Sequence, residues 1–178
     1  MDTAILAPRF AVFRGPRTDV DGLPPGMLPP PVVASLGLDL SASRYTRQVD
    51  GSPAFLVPSA EFVCLYTDNE AIGSCWQPQI VRNGQAVATG ICGPGLDSEH
   101  IVSFGLVPDG VSEVTVLRTN VPSVTVPVEG NVFVARTSSS PPLPLKVSWI
   151  EDGKRVVRSS GIPPKVARRG CGGGRPSG

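Results

Sequence analysis

The chain has 178 residues, 40% of them hydrophobic, which is enough for one ordinary core and cramped for two. Twenty Gly and twenty Pro disfavour long helices, because both residues cost a helix interior heavily, and they punctuate short strands naturally. Charged residues at 17% and aromatics at 6% fit neither a highly charged disordered chain nor an aromatic-lined groove, and the net charge of +1 conceals an acidic body and a basic end: nine basic against fifteen acidic residues in 1–152, then seven basic and no acidic residues in 153–178.

Residues 1–40 read as an irregular arm outside the core. They hold one apolar patch, Phe10-Ala11-Val12-Phe13, then a polar stretch and two proline-rich stretches. The second, Pro29-Pro30-Pro31, suits the first turn of a short helix through Val32 to Leu36, with Gly37 as its terminator. No run reaches the roughly 20 apolar residues that cross a bilayer, and Asp2 and Pro8 interrupt the opening segment, so the expectation is a soluble chain without a recognisable export signal.

From Ser43 the pattern becomes that of strands. Residues 44–49 and 54–57 flank Asp50-Gly51, a tight hairpin dipeptide, and 61–67 follow as a third strand. Residues 71–94 are less regular, although Gln79-Ile80-Val81 and Ala86-Val87-Ala88 flank Asn83-Gly84, which reads as another hairpin connection. Strands at 101–107, 114–117, 124–128 and 132–135 are separated by turn residues, and valines recur at period two in 114/116 and 124/126/128, as in half-buried strands. Pro127 cannot donate to a ladder, which places it at an edge or a bulge. Leu145, Val147 and Trp149 alternate with Lys146, Ser148 and Ile150 before Asp152-Gly153 turns the chain into Arg155-Val156-Val157. The expected fold is mainly β: an antiparallel sandwich or barrel-like domain over 41–158, preceded by the arm and followed by a disordered Gly/Arg-rich basic tail over 159–178.

The chemistry-bearing residues are few. Of the four cysteines, 64 and 75 are separated by a short stretch containing Gly73, and a disulfide between them would close a small surface excursion; the alternative is four reduced, buried thiols. Cys171 lies among arginines in the tail. A zinc site from Cys64, Cys75, Cys92 and His100 has suitable ligand types, but no pair has the short spacing that presents two ligands from one turn. His100 is the single histidine, and no Gly-x-Ser-x-Gly elbow accompanies it. Asp19-Val20-Asp21-Gly22 looks like part of a calcium loop, yet Pro30 stands where the closing Glu belongs. Pro141 to Lys146 has proline-ligand spacing but reads better as a linker into the next strand. The sequence contains no phosphate-binding loop or dinucleotide fingerprint, so no cofactor is expected.

Two segments, FAVFRGPRTDVDGLP at 10–24 and FGLVPDGVSEVTV leading to NVFVA at 104–135, resemble a group of small actinobacterial proteins of unknown function. In that group the domain often follows a membrane or signal segment, and a cysteine pair near positions 64 and 75 is common. The resemblance implies an envelope or secreted location and no particular activity; this chain departs from it in lacking the leading apolar segment. The expected function is that of a non-enzymatic extracytoplasmic β-domain with a binding or structural role, without a cofactor and with no partner specified. The alternatives are a hydrolase using turn carboxylates or His100, and a charge-driven binder of nucleic acid or membrane through Lys165, Arg168, Arg169 and Arg175.

Overall fold

The computed structural model of the protein describes residues 6–49, 51–67, 73–90, 101–118, 120–137 and 145–159. Among these, eleven strands form two antiparallel sheets. Strands β1 (Arg44–Val49), β2 (Ser52–Pro58), β3 (Val63–Thr67) and β4 (Gly73–Trp76) make a four-stranded sheet in chain order. The other strands are β5 (Val87–Gly90), β6 (Ile101–Leu106), β7 (Glu113–Leu117), β8 (Val124–Glu129), β9 (Val132–Thr137), β10 (Lys146–Glu151) and β11 (Lys154–Ser159). They form a seven-stranded sheet in the order β11-β10-β7-β8-β9-β6-β5. The mainly β class expected from the sequence is therefore the observed one.

Two cores explain this arrangement. Leu56, Val63, Leu65 and Trp76 of the smaller sheet meet Val102, Phe104 and Leu106 of β6, and the Trp76 and Phe104 rings make an edge contact at 6.2 Å. The larger sheet also curls on itself: Val87, Phe133 and Ala135 pack against Val114, Val116, Val147 and Trp149 from its distant strands. It is nearly a barrel, with the turn before β5 brought to Trp149 and to Arg158, whose Nε donates to the Asn83 carbonyl at 3.0 Å.

The hairpin at residues 152–153 is a two-residue connection with Asp152 and Gly153 both at positive φ, and Gly130-Asn131 joins β8 to β9 in the same way. Gly130 is also required by close approach. Its φ is 53°, and a Cβ there would stand 2.3 Å from the Thr46 carbonyl oxygen of β1. Pro127 behaves as its chemistry demands. Val128 N donates to Ser112 O beside β7, so the adjacent Pro127 nitrogen faces β9, and the β8–β9 ladder ends at Val128↔Phe133.

Two expectations are corrected. Residues 78–82 are a helix, α2 (Pro78–Arg82), and Asn83-Gly84 ends it instead of closing a hairpin. Gly84, at φ 67°, takes the left-handed conformation that serves a helix end as well as a β-turn, and Pro78 sits in the first helical turn. The arm is irregular as expected, but it is not outside the core. Leu6 and Phe10 are wholly buried and Phe13 nearly so, all in the core between the sheets. Burial of each such side chain contributes about 1.5–3 kcal/mol.

Polar contacts fix this N-terminal segment in place. Asp109 N donates to Arg9 O at 2.9 Å, Ala11 N donates to Asp109 Oδ1 at 2.6 Å, and Val12 N donates to Asn131 Oδ1 at 3.3 Å. Arg14 pairs with Asp109 at 2.9 Å, and Arg9 pairs with Glu151. The expected short helix is present as α1 (Pro30–Leu36), ending at Gly37. Together with Leu23, Met27 and Leu28 it covers the outer face of the smaller sheet, against Phe55, Val57 and Cys64.

Candidate functional site

Strands β3 and β4 pair so that Cys64 and Cys75 stand directly opposite, and the two are joined by a disulfide. Cys64 is fully buried under the arm, and Cys75 is half-buried with its Sγ 3.5 Å from the Tyr66 hydroxyl. The bridge expected from the sequence is present, and it ties neighbouring strands of the smaller sheet. Burial pushes the Tyr66 phenol above its ordinary pKa.

The arm itself is anchored by Asp21. This carboxylate accepts from Thr18 N at 2.7 Å, from Thr18 Oγ1 at 3.0 Å and from Tyr45 N, on the edge of β1, at 2.8 Å. Burial pushes its pKa up, but the Thr18 and Tyr45 hydrogen bonds, helped by the Arg44 charge, outweigh that and hold it below the usual carboxylate value. In this geometry one oxygen of the Asp21 carboxylate closes a capping box with Thr18 and the other accepts from the β1 edge. Thr18-x-x-Asp21 is the sequence signal that would have revealed it.

Above this anchor lies an open groove of about 390 Å³ walled by Leu23, Pro24, Pro25, Leu28 and Leu40, with the Arg17 guanidinium at one end. Arg17 lies 3.4 Å from both Asp21 O and Ser43 Oγ, and donates to them. Two prolines with fixed φ make the wall stiff. The groove is mainly apolar, and the Arg17 guanidinium is the one charged group among its lining residues.

Asp39, Asp109 and Glu151 are likewise engaged by the fold. Asp39 accepts from Ser41 N and Ser41 Oγ, which lowers its pKa against the opposing effect of burial. Asp109 and Glu151 hold residues 9–14 as described above, and Glu151 also accepts from Trp149 Nε1 at 3.3 Å. Among the described residues no group of three or more His, Cys, Asp or Glu side chains could hold a metal ion, and no helix is long and apolar enough to cross a membrane.

Several residues singled out in the sequence lie outside the described part of the chain. These are His100, Cys92, Cys171, the prolines at 141–144 and the tail residues Lys165, Arg168, Arg169 and Arg175. Comparison of the chain with protein-family models, with curated proteins and with solved structures finds no match.

Proposed function

We propose that this protein is a non-enzymatic extracytoplasmic β-domain, secreted or attached to the cell envelope, that binds a small anionic or peptide-like group in its arm groove. The observation that carries the reading is the Cys64–Cys75 disulfide, because such cross-links persist in oxidising compartments and are rare where thiols are kept reduced. The stiff groove with one guanidinium supports a binding role. The engagement of Asp21, Asp39, Asp109 and Glu151 in structural hydrogen bonds supports the same view, since these carboxylates are committed to holding the chain.

The test is alkylation of the protein in its native source before lysis, followed by peptide mapping. Protection of Cys64 and Cys75 until reductant is added is the expected result. Free, alkylated thiols at both positions would place the protein in a reducing compartment and overturn the proposal. Turnover of any ester, peptide or glycoside by the purified full chain would overturn the non-enzymatic part.

A further inference from the structure

Among the described residues strand β11 ends the larger sheet, with β10 as its one strand neighbour. The two-residue turn at Asp152-Gly153 makes Glu151 and Lys154 a hydrogen-bonded pair, so Lys154, Val156 and Arg158 direct their backbone groups toward β10. Arg155, Val157 and Ser159 direct theirs away from it. Among the described residues no backbone group pairs with these three; the Arg158 guanidinium donates to Val157 O at 3.3 Å and, through Nε, to Asn83 O of the turn before β5 at 3.0 Å. The edge is six residues long and regular.

The other edges differ. On β1, Tyr45 N is taken by Asp21 and the Thr46 carbonyl is covered by Gly130. Strands β4 and β5 are four residues each, and Val87 N of β5 already donates to Gln85 O.

We propose that β11 is a docking edge that accepts an extended acidic segment of a partner protein as an added strand. Unpaired N–H and C=O groups at period two are the template for strand addition, and side chains on alternate positions set the choice of partner. Here the outward face beside the edge offers apolar contact, with Val157 47% and Ile150 56% exposed. Lys154, Arg155 and Arg158 line the strand, with Asp152 at its turn and Glu151 held by Arg9 and Trp149. Three cations on six residues repel a second copy of the same strand and attract one carrying carboxylates. The inference is independent of compartment and of the arm groove.

The probe is a short fluorescein-labelled peptide alternating Glu and Val, read by fluorescence anisotropy against the full chain, with a Lys/Val peptide as counterpart. Binding of the Glu/Val peptide alone, weakening as salt rises, is expected. Val157→Pro removes an outward N–H without touching the β10 ladder and should weaken binding roughly tenfold or more. Arg155→Glu, which leaves the backbone donors intact, should do the same and decides the matter where the proline variant fails to fold. Absence of Glu/Val binding would overturn the proposal, as would binding that survives both substitutions, which would assign it to charge elsewhere. Concentration-dependent dimerisation abolished by Val157→Pro would overturn it in favour of a second copy as the occupant.

Discussion

The two sheets differ in how many of their faces are covered, and their sequences differ in step. In β2 and β3 the runs Ala54-Phe55-Leu56-Val57 and Val63-Cys64-Leu65 are buried without a break, because one face packs on the other sheet and the other lies under the arm. In β7 and β8 buried or half-buried valines alternate with more exposed residues, because the outer face meets solvent. Periodicity thus reports the number of covered faces as well as strand character. The same contrast holds at the edges: β1 is capped by Asp21 and Gly130, whereas among the described residues no backbone group pairs with the outer side of β11.

The comparison can be broken at its strongest point first. If residues 6–14 belong to the core between the sheets, Phe10→Ala should destabilise the domain by about 3–5 kcal/mol in urea unfolding. A loss within the range of surface substitutions would return this segment to the status of an outer arm. Next, replacing both Cys64 and Cys75 by Ser should cost about 2–3 kcal/mol, the chain-entropy value for a short closed loop, read as a lower denaturant midpoint.

Asp21→Asn should cost about 1–2 kcal/mol at neutral pH, since it removes the charge that three donors favour. Its pH dependence sharpens the contrast. The folded-state pKa of Asp21 is lowered, so its contribution is complete above the ordinary carboxylate value of about 4 and is lost as pH falls through the folded value. Acid titration of stability should therefore be shallower in the Asn variant, and an unchanged profile would remove Asp21 from its anchoring role. At the open end of the larger sheet, Val157→Thr should shift stability by less than about 0.5 kcal/mol in the same assay.

Much of the larger sheet was legible because its signals are local. The valines at 114, 116, 124, 126 and 128 and the dipeptides Gly130-Asn131 and Asp152-Gly153 specify strand and turn without reference to the rest of the chain. What escaped depends on distant partners. Gly73–Trp76 has no alternation and becomes a strand through pairing with β3. Asn83-Gly84 has two uses, and the choice is made by Pro78 and by the burial of Val81. The apolar patch at Phe10–Phe13 is too short and irregular to show by itself which core it joins, and Asp21 resembles a metal ligand until Tyr45 arrives from 24 residues away. The open edge of β11 was invisible for the same reason, since edge status follows from strand order.

The lashing of Arg9 to Glu151 has a consequence for biosynthesis. A ribosome emits Leu6 and Phe10 long before β6 exists to receive them, and the carboxylate that pairs with Arg9 emerges 142 residues later. Contacts so distant along the chain make closure slow, and the apolar side chains of this segment lack the β6 part of their core until residues 101–106 have been made. Holding that segment harmless during translation is a task the finished fold cannot perform for itself.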